Sequence, residues 1–142
     1  TSDEAYDLVC KFVLMLEKKV VKLIESPGNI STRMIVVEIN QACEILMEGI
    51  ASVEDIDQTM KSSLGHQYGP FELADRVGLD KVMKWMDGLY NEFGGSIYKT
   101  SPVIKRLVRT NYLGRATGIG FYKYDANGKI TGHTITCPEI KL

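Results

Sequence analysis

Residues 32–48, TRMIVVEINQACEILME, carry more apolar side chains than one face of a helix can hold. A helix that is apolar nearly all the way round has to be buried on several sides. Gly49 comes next and suits the position just beyond a helix C-terminus. The sequence therefore predicts a central helix, over residues 32–48, that other elements surround.

The residues that follow contain the start and stop signals of four more helices. Capping residues or a helix-initiating proline mark each start, and glycines mark most of the ends. The starts are Ser52 with Asp55, Pro70, Asp80, and Ser101 with Pro102, and the stops are Gly65, Gly78 and Gly94-Gly95. The body of the chain is therefore predicted to be all-helical.

The two ends of the chain have different patterns. An amphipathic stripe predicts a helix over about residues 1–17, with Thr1 and Glu4 at capping-box spacing, and the β-branched run at residues 20–24 predicts a strand. One helix and one strand cannot form a sheet alone, so we expect them to be the last elements of a larger α/β layer. Residues 125–128 are a turn signal that predicts a small hairpin or a loose tail.

Composition limits the classes of function. The 142 residues include 17 basic and 18 acidic side chains, for a formal charge of −1, which argues against a nucleic-acid partner. No apolar run is long enough to span a bilayer, so no membrane partner is expected. Three cysteines without C-x-x-C spacing favour a reducing, cytoplasmic compartment over a disulfide framework. Because the sequence starts without Met, we expect that the amino end has been removed.

The residues alone indicate no catalytic constellation. The Gly-x-Gly at Gly118 and Gly120 lacks the third glycine of the dinucleotide-binding fingerprint, because Lys123 stands in its place. Neither His66 nor His133 has a carboxylate at a telling spacing.

Glu72 and Asp75 are the acidic pair with two open interpretations. They lie three residues apart on the helix predicted to begin at Pro70. They are either ligands or anchors that hydrogen-bond a facing loop, and we favour anchors. We expect no metal site.

A series of short strings carries more information than any single residue. Two are long and distinctive, namely GPFELADRVGLD at residues 69–80 and TGIGFY at residues 117–122. The others are ESPG at 25–28, Thr32-Arg33, NQA at 40–42, EGIASVEDID at 48–57, Ser101-Pro102 and LGR at 113–115. In this order they resemble the C-terminal domain of the 3-hydroxyacyl-CoA dehydrogenases, above all the bacterial 3-hydroxybutyryl-CoA dehydrogenase branch.

The resemblance runs from about residue 1 to residue 124 and implies a fold. That fold is mainly α, a helical dimerisation domain of the 6-phosphogluconate dehydrogenase C-terminal-like type, preceded by the residual helix and strand of a truncated Rossmann domain. The implied divisions are residues 1–26 for the end of the NAD-binding domain, 27–124 for the helical domain and 125–142 for a C-terminal tail.

The resemblance also implies an activity, which is NAD-dependent interconversion of 3-hydroxyacyl-CoA and 3-oxoacyl-CoA in fatty-acid or butanoate metabolism. In the family, a catalytic His-Glu pair and most of the NAD site lie in the N-terminal Rossmann domain. The implied partners are therefore that domain, the acyl-CoA substrate and a second copy of the chain. We expect this chain on its own to be inactive.

Site residues carry over from the family only in part. Thr32 stands where the family has an Asn that hydrogen-bonds near the reacting carbonyl. Ala116 stands where the family commonly has a Lys that reaches toward the cofactor, and neighbouring Arg115 is expected to replace that cation in part. The residues expected near the acyl pocket are Gly69, Pro70 and Phe71.

The central helix is expected to be buried on both faces because it forms the dimer. On this hypothesis Val36, Ile39 and Cys43 face the partner copy. The departures at Thr32 and Ala116 leave a second hypothesis open, in which the chain is a non-catalytic helical dimerisation module of a decayed relative.

Overall fold

A computed structural model describes residues 2–136, which form a mainly helical fold with one two-stranded sheet. The helices are α1 (Asp3–Met15), α2 (Ile30–Met47), α3 (Val53–Leu64), α4 (Pro70–Val77), α5 (Leu79–Phe93) and α6 (Pro102–Arg109), and the strands are β1 (Tyr122–Tyr124) and β2 (Ile130–His133). The predicted fold class is confirmed. Residues 137–142, the end of the expected tail at 125–142, lie outside the described residues.

Helix α2 is the centre of the molecule, as its apolar pattern predicted. It packs against α3, α4, α5 and α6, and its fully buried residues include Val36, Ile39 and Cys43. It begins two residues earlier than predicted because the Asn29 side chain accepts a hydrogen bond of 2.8 Å from the Thr32 amide and caps the helix.

The four predicted helices that follow are present. Ser52 caps α3 and Ser101 caps α6 with their hydroxyl oxygens, as the sequence indicated. Asp80 was expected to cap α5, but Gly78 is the capping residue and Asp80 lies in the first turn. There its charge is favourable beside the partly positive amide groups of the helix N-terminus.

The N-terminal region departs from its prediction. Ser2 caps α1, and none of the residues of α1 is buried. Thr1, expected to take part in a capping box, lies outside the described residues. Residues 20–24, predicted as a strand, belong to no helix or strand. A strand exists only through hydrogen bonds to a neighbour, and the described residues provide none for this segment.

The C-terminal hairpin is confirmed. Strands β1 and β2 pair antiparallel with Tyr122 opposite His133, and the register shifts after Lys123. Phe121, just before β1, packs on Phe71 of α4 with 4.4 Å between ring centroids. The hairpin is therefore joined to the helical core. Among the helices described for residues 2–136, none combines the length and the apolar character of a membrane-spanning segment.

Candidate functional site

The first turn of α2 holds the position expected to be catalytic. Thr32 is half-buried there, and its amide donates to the Asn29 cap. Among the described residues, nothing hydrogen-bonds to the Thr32 hydroxyl. The side chain is therefore held at a helix start with its hydroxyl group unused.

Arg33, the next residue, links three separate parts of this surface. Its guanidinium lies 3.4 Å from the Ser26 hydroxyl, 3.5 Å from the Tyr98 hydroxyl and 4.5 Å from the centroid of the Phe93 ring. The first two distances are those of weak hydrogen bonds, and the third is a cation–π contact. Arg33 therefore ties the segment before α2 to the end of α5 and the turn after it.

The N-terminus of α4 is built around a buried carboxylate. Asp57 of α3 accepts hydrogen bonds of 2.8 and 2.9 Å from the amides of Phe71 and Glu72, and one of 2.9 Å from the Tyr122 hydroxyl. A Cβ on Gly69 would collide with Asp57, so only glycine permits this approach. These contacts satisfy amide groups that a helix start leaves without partners.

The three residues expected at an acyl pocket lie at this start of α4, around the Asp57 carboxylate. Phe71 has no exposed surface, and Pro70 is also fully buried. Gly69 contacts Asp57. The structure thus gives Gly69, Pro70 and Phe71 a packing role, and a substrate cannot touch the Phe71 ring without displacing its neighbours.

Asp75 anchors the C-terminal hairpin in the same manner. It accepts hydrogen bonds of 2.9 Å from the amides of both Phe121 and Tyr122, and one of 3.0 Å from the Tyr124 hydroxyl. The favoured interpretation, that an acidic residue of α4 anchors a facing loop, is confirmed for Asp75. Glu72 instead forms an ion pair with Lys61.

Burial changes the pKa of these buried groups. Removal from water raises the pKa of Asp75 to about 6 and also raises that of Asp57, although the donors around each carboxylate oppose the shift. Burial and the neighbouring Asp57 carboxylate raise the pKa of Tyr122, so its hydroxyl stays a donor. With a pKa of about 6, the Asp75 carboxylate is mostly charged at pH 7.

The glycine-rich segment before β1 does not fit a dinucleotide phosphate. A Cβ on Gly120 would collide with the Asp75 carboxylate, so that carboxylate occupies the space beside the glycine. An anionic pyrophosphate placed against Gly120 would be repelled by the Asp75 carboxylate. The residues of this chain therefore form no NAD phosphate cradle at Gly118–Gly120, in agreement with the missing third glycine.

The residues expected at a dimer contact need correction. Val36, Ile39 and Cys43 have no exposed surface within a single copy. Burial raises the pKa of the Cys43 thiol to about 12, which is the behaviour of a core side chain. Since a side chain without exposed surface cannot touch a second chain, these three residues belong to the core of one copy.

The expected cofactor-contacting cation lies on a different surface. Arg115 is exposed in a 3-10 turn at Arg115–Thr117, and its guanidinium packs against Gly128 of the hairpin turn. Ala116 is exposed beside it. Arg115 lines a groove with Arg76 and Lys129, whereas Arg33 lines grooves on the α2 side. The grooves described for Arg115 and Arg33 share no residue.

Tertiary structure also created contacts that sequence spacing did not indicate. His66 lies 3.3 Å from Glu38, and His133 lies 3.3 Å from Glu54, in both cases Nδ1 to Oε1. Asn40 is buried and fixes the segment before α6, because its amide donates to two carbonyls there and its oxygen accepts from the Ser101 amide.

Within residues 2–136, no cluster of three or more His, Cys, Asp or Glu side chains has metal-binding geometry.

The fold is a helical domain to which a hairpin is attached by two buried carboxylates, Asp57 and Asp75. Comparison with known protein families identifies the class of this domain. The family model described as "3-hydroxyacyl-CoA dehydrogenase, C-terminal domain" matches residues 28–124. The chain therefore belongs to this family, as its motifs indicated.

Individual relatives agree with this assignment. The chain is 42% identical over 125 residues to a 3-hydroxybutyryl-CoA dehydrogenase of Clostridioides difficile, covering 88% of this chain and 44% of the relative. It is 38% identical to the human mitochondrial hydroxyacyl-coenzyme A dehydrogenase, covering 87% of this chain and 40% of the relative. The crystal structure of (S)-3-hydroxybutyryl-CoA dehydrogenase PaaH1 from Ralstonia eutropha superimposes with a TM-score of 0.82 at 38% identity, over 88% of this chain and 44% of that one. The chain thus spans less than half the length of these relatives.

Proposed function

We propose that this chain is the substrate-closing, dimerising C-terminal part of an NAD-dependent 3-hydroxyacyl-CoA dehydrogenase, with 3-hydroxybutyryl-CoA as the preferred substrate class. The observation that carries the proposal is the family match over residues 28–124, together with 42% identity to a 3-hydroxybutyryl-CoA dehydrogenase. The proposed setting is fatty-acid or butanoate metabolism in the cytoplasm, which localisation of the tagged full-length protein tests.

The proposed division of labour rests on the glycine-rich segment, the two histidines and the exposed N-terminal region. The glycine-rich segment Gly118–Gly120 forms no NAD phosphate cradle, and neither His66 nor His133 lies at the start of α2. We therefore assign the proton-transfer pair and NAD to a further domain N-terminal to this one. NAD, when bound there, supplies the hydride acceptor. The exposed apolar side chains of α1 and residues 20–24 support such a neighbour, because burying them is favourable.

Thr32 is the residue of this chain proposed to face the substrate. Its hydroxyl is free to donate a hydrogen bond to a carbonyl oxygen, which an Asn amide would also do. A hydroxyl has a shorter reach and one donor fewer than an amide. The expected result is weaker stabilisation of the reacting oxygen than in an Asn-bearing relative.

The dimer surface is proposed to lie on the exposed side of α2. Ile30 is 57% exposed, Met34 69% and Met47 44%, and Ile97 beside them is 53% exposed. Apolar side chains grouped in this way are typical of surfaces that another chain covers. This surface replaces the three buried residues that the sequence had indicated.

The activity test uses NADH and acetoacetyl-CoA. We expect no oxidation of NADH by this chain alone, and turnover by the full-length protein with its N-terminal domain. Turnover by the isolated chain would contradict the assignment of the base and the NAD site to another domain. The readout is NADH absorbance.

The dimer is tested separately, by sedimentation of the full-length protein. Met34→Glu is expected to lower the apparent mass to that of a monomer, because it places a charge in the proposed apolar contact. Ile130→Glu is the control, since Ile130 is 36% exposed and lines the separate groove beside Arg115, which shares no residue with the groove around Met34. A dimer that survives Met34→Glu would show that the contact lies elsewhere.

A decayed, non-catalytic dimerisation module remains the second candidate. The departures at Thr32 and Ala116 favour it. If the full-length protein carries a His-Glu pair and a complete glycine fingerprint yet does not turn over, the module is the better interpretation. Thr32→Asn sharpens the choice, because a raised kcat would place this position on the reaction path and an unchanged kcat would remove it.

A further inference from the structure

A groove of about 420 Å³ opens between α4, the turn at Arg115–Thr117 and the hairpin turn. Its lining includes three cations, Arg76, Arg115 and Lys129, and a single carboxylate, Glu72. Glu72 is already paired with Lys61 at 2.6 Å. The groove therefore presents an excess of positive charge on a chain whose formal net charge is −1.

None of the three cations is neutralised by a described carboxylate. The ion pairs within residues 2–136 are Lys61–Glu72, His66–Glu38 and His133–Glu54. Like charges gathered in one groove repel one another, and an anion that binds among them relieves the repulsion. The groove thus has the electrostatic character of an anion site.

Packing holds both guanidinium groups in place. Arg76 lies over the Tyr68 ring, with 4.1 Å from its guanidinium carbon to the ring centroid. Arg115 packs so closely against Gly128 that a Cβ there would lie 2.6 Å from its Nη2 atom. A guanidinium that is held before binding loses less conformational entropy when a ligand arrives.

Gly128 permits this packing. The residue has a φ of +76°, in the left-handed region, and lies in the turn between β1 and β2. A side chain at this position would displace the Arg115 guanidinium. The hairpin turn therefore supports one wall of the groove.

We propose that this groove binds the phosphate group of a phosphorylated organic ligand. Two guanidinium forks match pairs of phosphate oxygens, and three positive charges favour a dianion over a carboxylate. The volume exceeds what a single phosphate fills, and Tyr124 and Ile130 add apolar surface for the rest of the ligand. The 3′-phosphate of a CoA ligand and the phosphate of an unrelated metabolite share this chemistry, and the site does not depend on the proposed dehydrogenase activity.

The experiment follows amide chemical shifts of the chain during titration with inorganic phosphate, CoA and 3′-dephospho-CoA at constant ionic strength. We expect phosphate and CoA to shift signals of residues 72–76, 115 and 128–130. Tenfold tighter binding of CoA than of 3′-dephospho-CoA identifies the 3′-phosphate as the source. Equal binding of the two assigns the site to other phosphates.

Charge-removing variants separate a site from general attraction. Arg76→Gln and Arg115→Gln are each expected to weaken phosphate binding about tenfold, the size of one charge-assisted hydrogen-bond pair. The control is Arg106→Gln, which removes an exposed charge on α6 outside the groove and is expected to change binding less than twofold. Circular dichroism shows that each variant is folded before its titration is interpreted.

A pH series adds an independent readout. The second proton of a phosphate monoester dissociates at a pH of about 6, so binding is expected to strengthen as the pH rises through this region. The proposal is overturned if no probe shifts the groove signals at about 10 mM. It is equally overturned if Arg106→Gln weakens binding as much as Arg115→Gln.

Discussion

The region from α4 to the hairpin and the region from α1 to residue 24 are opposite in character. Around α4, the Asp57 and Asp75 carboxylates are buried, and each accepts three hydrogen bonds. In α1 no residue is buried, and Phe12 is 60% exposed although it belongs to the apolar stripe. The helices α1 and α4 were both predicted correctly, but only α4 is integrated into the core.

The difference shows that a helical sequence pattern and packing by other elements are two separate requirements for a helix to join the core. The α1 stripe satisfies helical periodicity, yet no described element packs over it. The α4 region is short and contains charges that would be costly to bury alone. It is stable because other elements supply amide and hydroxyl donors to those charges. The predictions below alter one region and use the other as reference.

The largest effect is expected from Asp75→Ala. This change leaves the amides of Phe121 and Tyr122 and the Tyr124 hydroxyl without their acceptor, at a cost of about 3 kcal/mol or more in unfolding free energy. Asp7→Ala on exposed α1 is the control, with an expected change below about 0.5 kcal/mol. Urea denaturation followed by circular dichroism measures both, and equal losses would refute the anchoring role.

The same carboxylate is expected to make stability depend on pH. Burial raises the folded-state pKa of Asp75 to about 6, above the value of about 3.9 in an unfolded chain. Between these values the folded chain binds more protons, so this contribution to the unfolding free energy is full below about pH 4 and is lost as the pH rises through about 6.

The measurement compares wild type with Asp75→Asn by urea denaturation from pH 4 to pH 7. The stability advantage of the wild type is expected to shrink as the pH rises, by at most roughly 3 kcal/mol. An advantage that grows over this range would mean that the surrounding donors outweigh burial and lower the pKa.

A steric change of intermediate size is expected at Gly120. In Gly120→Ala the new methyl group collides with the Asp75 carboxylate, and relief of this overlap costs about 2 kcal/mol. Gly88→Ala is the matched control, because nothing lies within 4 Å of a Cβ at this helical position. It is expected to stabilise the chain by about 0.5–1 kcal/mol. Melting temperatures that move in the same direction for both variants would contradict the close approach at Gly120.

The smallest effect is expected from Phe12→Ser on α1. The side chain is 60% exposed, so its removal changes the unfolding free energy of this chain by less than about 0.5 kcal/mol. In the full-length protein, the same change is expected to cost about 2 kcal/mol or more if another domain covers α1. An equal effect in the two forms, measured by thermal denaturation, would show that α1 stays uncovered.

The sequence predicted the helices well because their signals are local. Capping by Ser52 and Ser101 and the stops at Gly65 and Gly94 depend on residues three or four positions apart. The strand predicted at residues 20–24 is absent from the structure. Strand formation depends on a partner segment, and a local sequence pattern does not show whether one is present.

The candidate site was predicted less well than the fold. The motifs identified the family, and the anchoring role of Asp75 was correctly favoured over a ligand role. The assignment of Val36, Ile39 and Cys43 to a dimer face was wrong, because an all-round apolar helix is equally explained by burial inside one copy. The sequence did not indicate the contact between His66 and Glu38, because the two residues are far apart in sequence.

By itself, the sequence determined the family, the order of the helices and their ends, because motif identity and capping chemistry are properties of short segments. Only the tertiary structure decided that Asp57 and Asp75 hold α4 and the hairpin together, and that Arg76, Arg115 and Lys129 line one groove. These contacts join residues up to 65 positions apart, and their energy depends on burial and distance in space. Neither quantity is fixed until the helices pack.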